Sequence, residues 1–164
     1  MKVGFGYDIH RLKSGEKLIL GGEEISYEKG LEGHSDADAI IHALMDALLG
    51  ASGLGDIGIH FPDDEQKYKG ISSMYLLEQV KELSVENKYG ICNLDVTVLL
   101  EKPKMSPYYN KIKKNIASVL KLPIENINIK ASTNEGIGII GKEEAIAVFC
   151  VALLEKIQNK NYNQ

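Results

Sequence analysis

Residues 35–50 have the sequence SDADAIIHALMDALLG, in which a short polar segment precedes a nearly unbroken apolar run. Ser35 followed three residues later by Asp38 is typical of a helix capping box, and Gly50 is a suitable C-terminal end. Apolar residues occupy almost every side of this helix, which predicts that it is buried. Asp38, His42 and Asp46 recur at intervals of four along one line of it. Polar side chains on a buried helix need specific partners.

The N-terminal segment can supply a partner for that helix. Val3 to Ile9 is a short apolar run broken by glycines, which is typical of a β-strand. Asp8 and His10 stand at its end, and side chains two apart on a strand lie on the same face. If His42 approaches from a facing helix, the set becomes two imidazoles and one carboxylate. This set suits zinc with an open fourth position, which predicts a catalytic rather than a structural metal site.

Hydrogen-bonded histidines are the competing interpretation, because an Asp-x-His motif alone also fits core or rim histidines. The buried helix favours the metal, because an imidazole inside it is costly unless a partner satisfies it. Asp46, one turn after His42, can be an acceptor that orients an imidazole. It can equally be a helix-face acid that water satisfies.

The rest of the chain predicts short alternating elements of one domain. These are a hairpin of residues 17–20 and 23–26, a loop through Gly30 and Gly33, a long loop over 53–65, an amphipathic helix over 71–87, a strand over 91–100, a helix that begins at Ser106-Pro107 and runs to about residue 120, a strand over 126–131 and a glycine-rich loop over 132–141. The final apolar segment, 145–154, fits strand or helix by pattern, and its β-forming residues favour strand.

Composition predicts a globular domain without affinity for polyanions. The chain has 164 residues, of which 44% are hydrophobic and 26% charged, and this is ordinary for one packed domain. The formal net charge of -4 provides no basic excess for nucleic acid or an anionic membrane. We therefore expect neither as a partner. A polyanionic substrate would need local positive charge or metal.

Cysteine usage and the N-terminus predict a cytoplasmic protein. Cys92 and Cys150 lie in apolar, strand-like segments, which predicts buried free thiols. The first residues contain no apolar segment long enough for a signal peptide, and no segment approaches the length of a membrane span. We therefore expect a reducing cytoplasm.

Three further segments have the residue types of a phosphate or nucleotide site. Residues 102–105 end a strand before a helix, where amides and lysines can meet an anion, although solvated lysines are the simpler explanation. Residues 130–136 place hydroxyls, a carboxylate and a glycine at another strand end, where they can hold phosphate and a hard cation or form a plain hydroxyl-capped turn. Asp56 can accept hydrogen bonds from sugar hydroxyls or be a turn residue.

Six ordered motifs together resemble the 2-C-methyl-D-erythritol 2,4-cyclodiphosphate synthase family. They are GFGYDIH at 4–10, HSD at 34–36, HAL at 42–44, LGDIG at 54–58, KPKM at 102–105 and KAST at 130–133. Six motifs in order are far more specific than any one of them. The resemblance implies a synthase domain over 1–157 and a polar C-terminal tail over 158–164.

The resemblance implies an α+β fold: a single two-layer domain with a mixed β-sheet, helices on one face, and sheets packed together in a homotrimer with interface active sites. The implied substrate is a small cytidine diphosphate compound, 4-diphosphocytidyl-2-C-methyl-D-erythritol 2-phosphate. It is cyclised to 2-C-methyl-D-erythritol 2,4-cyclodiphosphate with release of CMP, in the non-mevalonate route to isoprenoid precursors. Its 2-phosphate attacks the β-phosphorus of the same molecule, so no protein nucleophile is required.

The resemblance also implies two metal cofactors. Asp8, His10 and His42 match zinc (Zn2+) ligands. Glu135 matches a carboxylate that helps to hold Mg2+ or Mn2+ on the diphosphate. Phosphoryl transfer needs alignment and charge neutralisation more than covalent chemistry, and two cations can provide both.

The remaining implied roles concern catalysis and substrate binding. His34 and Thr133 match residues assigned to transition-state stabilisation. Residues 61–65 match a loop over the methylerythritol phosphate, and residues 100–106 with 131–133 match the cytidine and phosphate wall. The implied substrate contacts are Asp8, Ile9, His10, His34, Ser35, Asp56, Ile57, Gly58, Phe61, Pro62, Asp63, Asp64, Glu65, Leu100, Glu101, Lys102, Pro103, Lys104, Met105, Ser106, Ala131, Ser132, Thr133, Asn134, Glu135, Ile139 and Lys142.

Three positions depart from the family pattern. Ser132 stands where threonine is usual and keeps the hydroxyl. Lys142 stands where arginine is usual, and lysine lacks the planar fork that binds phosphate through two hydrogen bonds. Ile139 stands where an aromatic residue is frequent. Lys142 can be a diphosphate ligand by position or a solvated loop lysine.

The resemblance also implies a ribose site, because Asp56 and Gly58 match the residues that contact the ribose.

Two other functions fit the same residues. A metal-dependent phosphohydrolase would use the same ions with water as the attacking group, and would release CMP with a linear product. A non-catalytic trimeric module would use zinc only to stabilise its fold. That module requires a fourth protein ligand, and the sequence places no cysteine or further histidine well for it.

Overall fold

The computed structural model describes residues 1–33, 35–62, 65–68 and 70–157. His34, Asp63, Asp64 and the predicted tail over 158–164 lie outside the described residues. The elements in chain order are β1 (Lys2–Ser14), β2 (Leu18–Leu20), β3 (Glu23–Ile25), β4 (Lys29–Leu31), α1 (Ala39–Ser52), α2 (Ile57–His60), α3 (Ser73–Glu86), β5 (Tyr89–Leu99), α4 (Tyr109–Leu120), β6 (Ile127–Ser132), α5 (Gly138–Gly141) and β7 (Ala145–Lys156), with 3-10 turns at Gln66–Tyr68 and Ile124–Asn126.

A mixed five-stranded sheet forms one layer of the domain. Its strand order is β4-β1-β7-β5-β6. Only β5 and β6 run parallel, while the other neighbours are antiparallel. β2 and β3 form a separate hairpin. The predicted hairpin is therefore confirmed, as is the mixed α+β fold.

The helices form the second layer on one face of the sheet. α1 packs on β1 and β7, α3 packs on α1 and β5, and α4 packs on β6 and α3. Every second residue along β7 from Ile146 to Leu154 is fully buried or nearly so, as expected for a strand with one covered face. The hydrophobic core lies between the sheet and the helices.

Gly4 and Gly6 set the distance between β1 and α1. A Cβ atom added at Gly4 would lie 1.8 Å from the carbonyl oxygen of Ala47, and one at Gly6 would lie 1.8 Å from that of Ala43. Only glycine permits so close an approach of two backbones. Because side chains alternate along a strand, this face continues to Asp8, which therefore also points toward α1.

The ends of α1 differ from the prediction. Asp38, and not Ser35, occupies the N-cap position, so the predicted capping box is wrong. The helix also continues past Gly50 to Ser52, and it ends at Gly53, whose φ is 76°. Glycine adopts this left-handed conformation without the steric cost of a Cβ atom.

Asp38, the first polar residue on the buried line of α1, has specific hydrogen-bond partners. Its Oδ1 accepts the backbone N–H of Ile41 at 3.1 Å and that of Gly21 at 2.8 Å, and its Oδ2 accepts that of Gly22 at 2.7 Å. One buried carboxylate therefore caps the helix and ties it to the β2–β3 hairpin.

Three predicted loops contain short regular elements. Gly30 lies in β4, which pairs with the end of β1. The predicted loop over 53–65 contains α2, and the predicted loop over 132–141 contains α5. Elements of three or four residues are too short to show a hydrophobic period.

Two further predictions need correction. The helix predicted to begin at Ser106-Pro107 begins at Tyr109, with no side-chain cap. Cys92 is only half-buried, at an irregularity in the pairing of β5 with β7, whereas Cys150 is buried as predicted, and both thiols are free. The predicted helix over 71–87 and the predicted strands over 91–100, 126–131 and 145–154 are confirmed as α3, β5, β6 and β7. Within the described part of the chain, no helix has the length and apolar character that crossing a membrane requires.

Candidate functional site

Asp8, His10 and His42 form one cluster where the end of β1 meets α1. Asp8 Oδ2 lies 2.8 Å from His10 Nδ1 and 3.6 Å from His42 Nδ1. One ligand atom from each residue lies within 4.8 Å of the other two. Ligand atoms around a tetrahedral zinc ion lie roughly 3.4 Å apart, given bonds of about 2.1 Å. The predicted convergence of these three side chains is therefore confirmed.

The cluster contains two buried polar atoms that no protein group satisfies. Asp8 Oδ2 and His10 Nδ1 have no hydrogen-bond partner of acceptable geometry among the described residues, although they lie 2.8 Å from each other. A buried polar atom without a partner costs free energy. A cation between the side chains would satisfy both atoms, and a carboxylate with two imidazoles is a donor set that fits zinc.

Burial and charge together set the protonation of the cluster. Burial opposes ionisation of Asp8, but its interactions with His10 and His42 outweigh burial and lower its pKa to about 2. Burial also opposes protonation of His42, yet the Asp8 carboxylate outweighs it and raises the pKa of His42 above its ordinary value. Asp8 therefore presents a charged carboxylate, the form that binds a cation, at neutral pH.

We expect the metal-free protein to lose stability as the pH falls from about 4 toward 2. The pKa of Asp8 is lowered from 3.8 to about 2 by folding, so its contribution is complete above the unfolded pKa and is lost as the pH falls through the folded pKa. Nearly two pKa units correspond to about 2 kcal/mol. Urea unfolding of chelator-treated protein across this range measures the loss. Asp8→Asn should remove that part of the pH dependence, and an unchanged dependence in the variant would contradict the assignment.

Asp46 does not orient an imidazole. Its Oδ1 accepts the backbone N–H of Ile57 at 2.8 Å and so anchors the start of α2, and the predicted role beside an imidazole is therefore wrong. His42 Nε2 instead lies 3.0 Å from Ser73 Oγ and 3.2 Å from Ser35 Oγ. Nothing in the sequence marked Ser73, because it is distant in the chain and belongs to no motif.

The predicted nucleotide segment around α2 has a structural role of its own. Asp56 is the N-cap of α2, and its Oδ1 accepts the N–H of Ile59 at 3.1 Å. Gly58 lies within α2, and Phe61 contacts Tyr68 edge-on at 5.5 Å between ring centroids. The turn role left open for Asp56 is therefore realised, and its contact with ribose stays a prediction.

A cavity of about 390 Å³ lies at the adjoining ends of β5 and β6. This volume falls within the usual range for small-molecule sites. Two segments distant in sequence meet there, and all but Tyr109 were predicted substrate contacts. The lining residues are Leu100, Glu101, Lys102, Pro103, Lys104, Met105, Ser106, Tyr109, Ala131, Ser132 and Thr133. Tyr109 was missed because it lies in the predicted helix.

Glu101 organises the loop that carries Thr133 and Glu135. Its Oε1 accepts the N–H of Asn134 at 2.7 Å and that of Gly136 at 3.4 Å, while the Thr133 hydroxyl donates to Glu135 Oε1 at 2.6 Å. Glu135 is outside the cluster of Asp8, and no group of three potential ligands within the described ranges includes it. It can thus offer a carboxylate to a cation whose other ligands are phosphate or water oxygens.

Some predicted contacts lie elsewhere in the chain. Ile9, Ile139 and Lys142 line a second cavity of about 550 Å³ and not the cavity at the ends of β5 and β6. Lys102, predicted to meet phosphate, has its ammonium nitrogen 3.0 Å from Glu143 Oε1. Within this chain the predicted contacts are therefore not gathered in one cavity.

The fold and the site define an α+β protein with a candidate metal site and cavities for small molecules. The chain belongs to the YgbB family, whose model matches residues 1–155, and this confirms the resemblance seen in the sequence. It is 55% identical to the 2-C-methyl-D-erythritol 2,4-cyclodiphosphate synthase of Brachyspira hyodysenteriae, over 95% of this chain and 99% of that protein.

Solved structures agree with this family. The CDP complex of IspF from Plasmodium falciparum matches with a TM-score of 0.85 and 36% identity, over 96% of this chain and 97% of that chain. The bifunctional IspDF from Campylobacter jejuni matches with a TM-score of 0.92 and 38% identity, and this chain spans 42% of its length.

Proposed function

We propose that this chain converts 4-diphosphocytidyl-2-C-methyl-D-erythritol 2-phosphate to 2-C-methyl-D-erythritol 2,4-cyclodiphosphate and CMP, in non-mevalonate isoprenoid precursor biosynthesis. Two relatives that are 55% and 56% identical to this chain, over 95% and 90% of its length, are named as this synthase. The observation that carries the proposal is the convergence of Asp8, His10 and His42, with two buried polar atoms lacking a partner.

The residues of the chain bind and align the substrate. The 2-phosphate and the β-phosphorus belong to one molecule, so the main task is to hold them in line. We assign the cytidine and diphosphate to the cavity of about 390 Å³, whose wall includes Lys102, Lys104 and the hydroxyls of Ser132 and Thr133. The other substrate contacts implied by the family resemblance are part of the same proposal.

Two cations complete this site in the proposal. Asp8, His10 and His42 would hold zinc, and Glu135 would contribute to binding Mg2+ or Mn2+. When bound, these ions supply Lewis-acid polarisation and charge neutralisation at the diphosphate. His34 and Thr133 are proposed to stabilise the transition state. The Thr133 hydroxyl donates to Glu135 Oε1 at 2.6 Å, so Glu135 fixes its orientation.

A homotrimer is the proposed assembly. Val3, Phe5, Tyr7 and Val151 are 69%, 61%, 46% and 41% exposed on two adjacent strands, on the sheet face opposite the helices. A continuous exposed apolar face is typical of a protein interface. Packing of three such sheets would cover it, and would allow Ile9, Ile139 and Lys142 to contact a substrate held mainly by a neighbouring subunit.

We also assign residues 1–157 to the catalytic domain and the enzyme to the cytoplasm. The two free cysteines suit a reducing compartment, and the net charge of -4 gives no electrostatic affinity for nucleic acid or an anionic membrane.

Incubation of the zinc-loaded protein with substrate and Mg2+, followed by ³¹P NMR, tests the proposed function. We expect the cyclic diphosphate and CMP in equal amounts, from a species that sediments as a trimer. A linear phosphorylated product would instead indicate a phosphohydrolase. Bound zinc without any turnover would indicate a structural metal site.

A further inference from the structure

His42 has two ring nitrogens in different surroundings. Nδ1 faces Asp8 Oδ2 at 3.6 Å, within the metal cluster. Nε2 faces Ser73 Oγ at 3.0 Å. Ser73 is the first residue of α3 and is completely buried. A ligand histidine needs an unprotonated nitrogen toward the metal, and the partner of its other nitrogen determines which one that is.

Asp36 determines the direction of the Ser73 hydroxyl. Asp36 Oδ2 accepts the backbone N–H of Ser73 at 2.9 Å, and Asp36 Oδ1 accepts the Ser73 hydroxyl itself. An ionised carboxylate only accepts hydrogen bonds, and a hydroxyl has a single proton to donate. The Ser73 proton therefore goes to Asp36, and Ser73 Oγ meets His42 as an acceptor.

An acceptor at Nε2 selects one tautomer of His42. Nε2 must carry the hydrogen, so the neutral ring leaves Nδ1 unprotonated toward the cluster. Ser35 Oγ also lies near Nε2, at 3.2 Å, and accepts the N–H of Ala37 at 3.3 Å. These contacts leave the direction of the Ser35 proton open, so Ser35 fits either tautomer. Asp8 Oδ2 lies 3.6 Å from Nδ1, beyond hydrogen-bond distance, so Ser73 determines the choice.

We propose that Asp36 and Ser73 are positioning residues that hold His42 in the tautomer with Nδ1 free and thereby make it a metal ligand. The inference rests on the proposed function, because it takes the bound ion to be the zinc held by Asp8, His10 and His42.

Ser73→Ala tests the inference through metal affinity. Loss of such an orienting partner weakens metal binding by about 10- to 100-fold. Ser84→Ala is a matched control, because Ser84 lies on the same helix, is also completely buried, and bonds only to Val80 and Ser52 among the described residues. Competition for zinc with a chromophoric chelator should show the loss in Ser73→Ala and none in Ser84→Ala.

Asp36→Asn separates a role in proton direction from a role in packing, because it hardly changes shape. The backbone N–H of Ser73 still requires an acceptor, so the oxygen of the new side-chain amide stays beside it. The nitrogen of that side-chain amide then faces Ser73 Oγ and donates a hydrogen bond to it. The Ser73 proton then points to Nε2 and favours the opposite tautomer. We expect zinc affinity to fall as far as in Ser73→Ala, while a packing role predicts an affinity equal to that of the wild type.

The tautomer is read directly from ¹H–¹⁵N spectra of histidine-labelled, metal-free protein at alkaline pH, with the His42 signals assigned by their loss in His42→Gln. The wild type should show Nε2–H at His42, and both variants should show more Nδ1–H. An unchanged tautomer and unchanged zinc affinity in both variants would overturn the inference. Because the spectra need neither metal nor turnover, they test it even if the wild type forms no cyclic product, a result that would contradict only the proposed function.

Discussion

Replacement of His42 by alanine is expected to lower cyclisation by about a thousandfold or more, with the fold retained. The change removes one of the three proposed zinc ligands and leaves only Asp8 and His10 on β1. Metal polarisation is worth several kcal/mol of transition-state stabilisation, and each 1.4 kcal/mol is a factor of ten in rate. His42 is buried, with 9% of its surface exposed, so its truncation also costs folding free energy, and a circular dichroism spectrum of the variant verifies that the fold is retained. Single-turnover rates and zinc content measured on the same sample test this.

His60→Ala is the control for the loss of an imidazole. His60 is half-buried on α2, its Nε2 lies 2.8 Å from the Leu54 carbonyl oxygen, and it is outside the cluster. This variant should keep one zinc ion per chain. Turnover retained by His42→Ala without bound zinc would contradict the role of the metal.

Gly6→Ala is expected to destabilise the protein by about 3 kcal/mol or more. The new methyl group would lie 1.8 Å from the Ala43 carbonyl oxygen, and no rotamer change can move a backbone atom in the middle of α1. The strand and the helix must separate, which is the costly form of overpacking. Because α1 carries His42 toward Asp8, zinc affinity should fall as well. Urea unfolding and zinc titration measure the two effects.

Gly50→Ala gives the opposite expectation from the same substitution. Nothing lies within 4 Å of the added Cβ atom, and Gly50 is within α1. Alanine is favoured over glycine inside a helix by about 1 kcal/mol, so this variant should be slightly more stable than the wild type. Equal stability of Gly6→Ala and the wild type would show that β1 and α1 are not held as closely as Gly6 implies.

The sequence predicted those parts of the fold and site that depend on local spacing. The apolar run of residues 39–49 predicted a buried helix, and the alternation of Asp8 and His10 predicted two ligands on one face of a strand. Both follow from the fixed repeat of helices and strands, so neither required knowledge of the rest of the chain. Family motifs singled out the two segments of the expected cytidine and phosphate wall, and the structure joins these segments in one cavity.

Other features depended on contacts between distant segments. Asp46 seemed suited to orient His42 because it lies one turn away, yet its carboxylate anchors Ile57, and Ser73 takes the position beside the imidazole. Ser73 is 31 residues from His42 and 37 from Asp36. No periodicity relates residues so far apart, so only the packing of α3 beside α1 reveals the contact.

The sequence by itself determined the helix, the strand and the placement of Asp8 and His10 on one face of that strand, because each depends on spacing within a few residues. Only the tertiary structure decided how closely β1 and α1 approach and which group faces the second nitrogen of His42. The close approach depends on the contact of two backbones at Gly4 and Gly6, and the partner of His42 depends on a hydrogen bond between α1 and α3. Both are set by the packing of the whole domain.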